Sequence, residues 1–552
     1  MHKLLERLPL QFRVLYRQFL LRIIDLEALS IKADVVAFMG QFASVLVMFS
    51  LIEAVAAYLA PVKATWHVEQ NLIELMMLVV GLIIVVSWDS TFPDRRDVMV
   101  LAPLPVAPHM ILVAKMAASG ALLGLAVLVL NGLSGIVAPF VIGTQRDTSW
   151  GFFQSFAAYW FTMIAATVFL YCCVLTVQGF TALLLPRRLF LRLSAILQLV
   201  AFGLFPGVYF LQPSIATPAA MAAPGNQCVL AWSPSYWFFA LFNQLNGSLP
   251  SELAWLARRA WIGLGVAVFG AAACLLLCYL RTMKKTVEQP DLVPGSRGWH
   301  WAPRFGSSLQ TAIVLFCVRS LTRSRYHRLA FAFYLAMVFG IALACLKAEL
   351  SAAARGPVSM DFIIPTYMMM ILAVLGLRNV SALPISLTAN WVLRITQLCP
   401  SEKYIAATRR TLLLLGALPV WIVSALLSLS FRPLYQVAAH LAVLALVGWI
   451  LVEIGLIKFY KVPFTCSYLP GKVKIQVIFW GFLIVLVSVV VPSAEYEQRT
   501  LNDPLRYVWM TSLLGAVALG LWAYNRDRAR SAVLYFEELP EPVIMTLGLS
   551  SD

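Results

Sequence analysis

Residues 71–90 read Asn-Leu-Ile-Glu-Leu-Met-Met-Leu-Val-Val-Gly-Leu-Ile-Ile-Val-Val-Ser-Trp-Asp-Ser, with no charge between Glu74 and Asp89. About 20 mostly apolar residues are what a helix needs to cross the hydrocarbon core of a bilayer. In lipid the backbone must satisfy its own hydrogen bonds, so such a run reads as a spanning helix. Runs of the same kind lie at 35–60, 109–143, 152–185, 193–212 and 260–280, and again at 329–348, 361–383, 410–430, 436–457, 475–492 and 506–524. The third and fourth, 109–143 and 152–185, are long enough to hide a kink or a re-entrant piece. The expectation is an all-α polytopic membrane protein with about twelve transmembrane helices, six on either side of a polar stretch.

Composition agrees. Of 552 residues 61% are hydrophobic and 12% charged, against about 45–50% and about 25% in soluble globular proteins, and the mean hydropathy is +0.83. A soluble domain and a disordered chain are both excluded. The net charge of +16 would suggest nucleic acid in a soluble protein, but its distribution gives another cause. With the N-terminus inside, 33 of the 42 Lys and Arg fall in cytoplasmic segments, the asymmetry of the positive-inside rule. Both termini are therefore expected in the cytoplasm, in a bacterial cytoplasmic membrane, with no nucleic-acid partner. The nine Cys show no zinc spacing and read as packing residues, and no metal site is expected. The first apolar run starts near Asp34 and is too long for a signal peptide.

These features divide the chain into an amphipathic helix (1–34), a first six-span half (35–280), a linker with a second amphipathic helix (281–328), a second six-span half (329–524) and a tail (525–552). Weak echoes at one offset suggest that the halves are a parallel repeat. Arg13-Val14-Leu15-Tyr16 answers to Ile313-Val314-Leu315-Phe316, Gly40 to Gly340, and Ile111 and Lys115 to Ile405 and Arg409-Arg410. Six spans per copy keep both copies in the same orientation, whereas an odd number would invert the second.

Within residues 3–27, Leu8, Phe12, Leu15, Tyr16, Phe19, Ile23 and Leu26 recur every three or four positions between Arg7, Arg13, Arg17 and Arg22. One face is apolar and the other basic, which suits a helix lying in the membrane interface against lipid headgroups. Residues 309–328, ending in Arg323, Arg325 and Arg328, offer a counterpart. The link 88–115 holds the compact cluster Asp94-Arg95-Arg96-Asp97, then Pro103 and Pro105, then Lys115. The prolines forbid a continuous helix, and fixed bends beside a short charged segment suit docking onto a protein.

The order of amphipathic helix, two spans, charged link with a Leu-Pro-Val motif at 104–106 and a Lys at the start of the third span resembles the membrane subunits of ABC exporters of the type-2 class. That resemblance implies an interfacial elbow helix before each six-span unit, and a coupling helix between its second and third spans that meets a cytoplasmic ATPase. It also implies a small external region between the fifth and sixth spans, for which 213–259 has the position and length. By the same resemblance, Asp94, Arg95, Arg96 and Asp97 would touch the ATPase, Pro103 and Pro105 would fix the bend, and Arg394, Glu402 and Lys403 would serve the second half. No second permease copy is expected, because both halves are fused. The second link lacks the Asp-Arg-Arg-Asp cluster, and the second external link, 493–505, is much shorter. There is no GxxxxGK[ST] loop in the sequence, so the chain itself is not expected to be an enzyme; ATP and Mg would belong to the partner.

Glu53, Glu74, Lys115, His440 and Glu453 fall in or near apolar runs, where a charge costs about 2.5–3.5 kcal/mol on insertion scales. Their placement toward span ends favours snorkelling or interhelical pairing, and His440 reads as a hydrogen-bonded packing residue. Gly120 and Gly124 form a GxxxG surface for close helix approach. Two other classes remain open. An ion-coupled secondary transporter would need carboxylates near the midplane. A membrane enzyme acting on lipids or glycans would need an acidic pair or a metal cluster at one face, and no such motif is present.

Overall fold

The computed structural model describes residues 9–24, 35–59, 65–88, 95–101, 103–144, 151–212, 215–288, 304–351, 358–383, 401–428, 433–465, 486–531 and 534. All regular structure among them is helical, with no strand. Among the described residues nine helices are long and apolar enough to cross a membrane, and two shorter apolar stretches, Ala43–Leu59 and His327–Gly340, fall on the first and seventh expected spans. Of the run 475–492, only residues from 486 onward lie within the described residues. The chain is thus a multi-pass, all-α membrane protein. It divides into two compact units, one built mainly from residues 1–298 and the other mainly from 299–552.

The first unit comprises α1 (Leu10–Ile24), α2 (Val35–Leu59), α3 (Thr65–Val86), α4 (Arg95–Leu101), α5 (Pro108–Leu130), α6 (Ser134–Thr144), α7 (Gly151–Leu184), α8 (Arg187–Leu211), the short α9 (Pro218–Ala222) and α10 (Gln227–Trp232), α11 (Pro234–Asn246) and α12 (Ala254–Glu288). The run 109–143 breaks into α5 and α6 because polar groups meet at its middle. Asn131 donates to the Val127 carbonyl at 2.9 Å and accepts from Tyr159 at 2.8 Å. Ser50 Oγ then accepts the amides of Leu133 and Ser134 at the start of α6, groups that no intrahelical carbonyl satisfies. The run 152–185 is one continuous helix, α7. It packs along α12 at Gly179, where a Cβ would lie 2.6 Å from that of Cys274, and Cys278 Sγ donates to the Gly179 carbonyl at 3.0 Å. That close approach was expected at Gly120 and Gly124 instead; both face open space, so the GxxxG makes no helix contact among the described residues.

Of the connector 213–259, the described residues 215–253 carry α9–α11 over the ends of α3 and α8, and 254–259 open α12. Its aromatic residues Tyr236, Phe238 and Phe239 are fully buried. Gln70 donates to Ser235 and Asn243 to Glu69, which pins the connector to the first turns of α3. Burial pushes the Tyr236 phenol up to about 12, so it serves as a neutral hydrogen-bonding group.

The second unit comprises α13 (Ser308–Arg323), α14 (Arg325–Ser351), α15 (Met360–Ser381), α16 (Ser401–Leu412), α17 (Leu418–Leu427), α18 (Leu434–Leu456), α19 (Val491–Thr500) and α20 (Pro504–Ser531). A π-helical turn, Leu413–Ala417, joins α16 to α17, and another, Leu486–Val490, leads into α19. Pro419 and Pro492 stand just beyond these turns. A proline clashes with the carbonyl four residues back, and loosening to the wider π spacing keeps the chain helical. Helix α15 is the hub: Gly376 admits the Tyr334 ring of α14, and α15 also packs on α17, α18 and α19.

Candidate functional site

The first unit's link begins where α3 ends. Trp88 is buried and its indole donates to Ser194 at 2.9 Å. A carbonyl in the last turn of α3 and that of Trp88 just beyond it are taken by side chains of neighbouring helices: Gln198 donates to Val85 at 2.7 Å and Gln178 to Trp88 at 2.8 Å. This clamp fixes the point from which the link departs. The link then forms α4, followed by a tight reversal. Leu104 N donates to the Leu101 carbonyl at 3.1 Å, and Val106 N donates across Pro105 to the Leu104 carbonyl at 2.7 Å. Pro103 and Pro105 are exposed at this bend, and Pro108 opens α5, where a missing amide costs nothing.

Asp97 and Lys115 join the two sides of the bend. Lys115 donates to Asp97, and both side chains are buried. The ammonium also lies 5.2 Å above the Phe19 ring of α1, a cation–π contact. Around this pair, Leu15 and Phe19 of α1 pack against Ile111, Ala114 and Ala118 of α5, with Phe12, Tyr16, Leu20, Leu101 and Val106 at the rim. Elbow helix, link and third span therefore meet in one joint.

Two expectations change here. Asp97 was assigned to the ATPase-facing surface, yet it is 3% exposed and holds the joint together; a buried carboxylate needs a partner, and Lys115 supplies it. The interfacial reading of α1 is refined as well: of its apolar stripe, Leu15 and Phe19 are buried against α5, so this part of the face packs on protein. Of the other candidates, Asp94 lies outside the described residues, and Arg95 and Arg96 form the first turn of α4. Sequence reasoning overlooked Met99, Val100 and Leu104, which are 61%, 64% and 49% exposed. They make an apolar ridge on the link, and the only signal for it was the apolar run 98–101 directly after the charged residues 94–97.

The second unit places its candidates differently. Arg394 and the rest of 384–400 lie outside the described residues. Glu402 and Lys403 open α16, and Glu402 forms a partly exposed ion pair with Arg526 of α20 at 3.5 Å. Arg409 grips the fully buried Glu453 of α18 through two hydrogen bonds of 2.6 and 3.2 Å, and Asn525 donates to the same carboxylate at 2.9 Å. The expected interhelical pairing of Glu453 is thus present. Arg410 donates to the Phe305 carbonyl and to Gln310 of α13, the latter at 2.8 Å. The elbow itself is shorter than expected: α13 ends at Arg323, so Arg325 and Arg328 belong to α14. Ser324 is extended and its carbonyl accepts the Arg328 amide at 3.1 Å, which starts a new helix, while its hydroxyl meets His327 Nδ1 at 2.6 Å.

No group of three or more His, Cys, Asp or Glu suited to a metal occurs among the described residues. Cys317, on the elbow α13, is buried, and its thiol is pushed up to about 12 by desolvation; it packs rather than reacts.

Comparison with known proteins returns nothing. No protein-family model, curated protein or solved structure matches this chain.

Proposed function

We propose that the chain is the membrane-spanning permease subunit of an ATP-driven exporter, in which a separate cytoplasmic ATPase moves the link 88–115. The observation that carries this reading is the build of the link: a short helix with an exposed apolar ridge at Met99, Val100 and Leu104, tied rigidly by Asp97 and Lys115 to the third span and the elbow. An exposed apolar patch on a braced element marks a protein contact. A push on the ridge would reach the base of α5 without first compressing a flexible loop. The finer architecture belongs to the same proposal: twelve spans in two parallel six-span repeats, both termini cytoplasmic. It is supported by the elbow contacts of Lys115 in one unit and Arg410 in the other. Contacts to the ATPase then fall to Arg95, Arg96 and the ridge, with Pro103 and Pro105 shaping the bend.

Reversing Arg95 and Arg96 to Glu is expected to abolish stimulation of the co-purified ATPase while membrane insertion and folding stay intact. Unchanged transport in that variant, or the absence of any ATPase bound to the protein, would remove the coupling role.

One observation favours an ion-coupled secondary transporter instead. Glu53 is buried near Ser134 and Tyr159, and its Oε1 has no hydrogen-bond partner, the kind of intramembrane carboxylate such carriers use. Transport driven by a proton gradient in vesicles free of ATPase would establish that reading.

A further inference from the structure

In the second unit, α15, α18 and α19 meet at four buried polar side chains that the permease reading does not use. His440 and Glu497 are fully buried, with Nδ1 2.8 Å from Oε1. His440 Nε2 lies 3.0 Å from Thr366 Oγ1, and Tyr367 donates its phenolic hydrogen to Glu497 Oε2. Thr366 donates its own hydrogen to the Ile363 carbonyl at 2.7 Å, so toward the imidazole it can only accept, and Nε2 must carry a hydrogen.

Counting hydrogens then fixes the state of the cluster. Oε2 accepts from Tyr367 and Nε2 donates to Thr366, which leaves one hydrogen to be shared between Nδ1 and Oε1. Without it, two lone pairs would face each other at 2.8 Å. With a second one, two hydrogens would face each other, or Tyr367 would have to surrender Oε2. A buried network of this kind is stable only when every member is satisfied. The cluster is therefore a site for one proton.

Its position gives the proton a mechanical consequence. Thr366 and Tyr367 lie in the second turn of α15 and His440 in the second turn of α18, so the site is close to one membrane face. Among the described residues α19 buries Ala494, Glu497 and Thr500, while Tyr496 and Arg499 point outward; Glu497 is its one buried charge, and Gln436 of α18 holds Asn502, two residues past its end, at 2.9 Å. At this end of the packed elements the other ionisable groups are the exposed Tyr435 of α18 and Tyr496 of α19, Tyr507 of α20, which donates to the Ala439 carbonyl at 3.0 Å, and the exposed pairs Glu495–Arg499 and Asp503–Arg506; Arg378 and Glu453 lie toward the opposite ends of α15 and α18, where Arg378 donates to Gly455 and Glu453 accepts from Arg409. On α15, Asp361 is exposed at the first turn. None of these supplies an alternative acceptor for a second proton on the Glu497–His440 pair.

We infer that Thr366, Tyr367, His440 and Glu497 form a proton-binding latch that fastens α19 to α15 and α18 and releases it when a second proton binds. The inference is independent of ATPase coupling and of the direction of transport. It is tested by hydrogen exchange on the full-length chain in nanodiscs, which expose both faces, with exchange corrected for its intrinsic pH dependence. Across a pH series run downward from neutral, protection of 491–500 should fall as acid is added, while α11 in the first unit holds constant. Glu497→Gln should be flat over this range. Tyr367→Phe keeps both charges but frees Oε2 for the second proton, so its acid limb should move to higher pH. Exchanging the exposed pair, Glu495→Gln with Arg499→Gln, should leave the wild-type profile unchanged. Wild-type protection that stays flat overturns the latch, as does a wild-type drop that persists in Glu497→Gln. If Glu497→Gln does not fold, an unmoved acid limb in Tyr367→Phe overturns it equally.

Discussion

The two units solve one mechanical problem with different partners. At the base of its third span the first unit has Lys115, which binds Asp97 of the link and covers Phe19 of the elbow. In the last turn of α16 the second unit has two arginines, one gripping Glu453 of α18 and the other reaching Gln310 of α13. In the first unit the ion pair therefore joins the link itself to the span. In the second it joins span to span, and the link contributes no described partner. The lesson is that a basic residue at a helix end ties a link to a helix in one unit and braces helix to helix in the other, depending on where the opposing carboxylate is placed.

The largest effect is expected from Lys115→Met. It strands Asp97 as an uncompensated buried charge, which typically costs about 3–5 kcal/mol, and should appear as a strong loss of folded monomer and of thermal stability in detergent. Pairing it with Asp97→Leu should recover most of that loss, because two apolar side chains of similar size remove the stranded charge. Failure of the double variant to recover would mean that the pair is not the element holding link to span.

A smaller effect is expected from Arg409→Gln. Glu453 keeps the hydrogen bond from Asn525, so the loss should be closer to that of charged hydrogen bonds, about 1.5–3 kcal/mol. The same unfolding measurement on Arg409→Gln with Asn525→Ala should then approach the Lys115→Met value; if it does not, the two sites differ in more than their number of partners. The smallest effect belongs to Glu402→Gln. Its pair with Arg526 is about half exposed on both sides, and such pairs contribute about 0–1 kcal/mol, a difference that should vanish in high salt. A larger, salt-independent loss would show that α16 and α20 are held at this point by more than a surface contact.

Much of the fold was legible because spanning a bilayer is a one-dimensional requirement: residues 71–90 and their counterparts declare themselves by length and lack of charge alone. The break in 109–143 was open to suspicion from its length, but its place at Asn131–Leu133 was not. That depends on Ser50 and Tyr159, more than 20 residues away in either direction. The elbow helix could be recognised by its period, yet the partner of its apolar stripe could not, since lipid and the side of α5 are equally apolar. Asp97 looked like a surface charge because its neighbours in sequence are charged. The latch was legible only in part: His440 stood out in an apolar run, whereas Glu497 sits in the polar segment Glu495-Tyr496-Glu497-Gln498-Arg499, where nothing distinguishes the buried carboxylate from the exposed one.

By itself the sequence determined that this chain lives in a membrane, that it is helical, and where most of its spans lie, because hydrophobic length and charge asymmetry act on each segment independently of the others. Which carboxylate meets which cation, and whether a charged group is a contact surface or a buried pin, was decided only by the tertiary structure. Burial and pairing are properties of two segments brought together, and ionic partners such as Asp97 with Lys115 or His440 with Glu497 are chosen by distance in space, where local sequence carries no record of it.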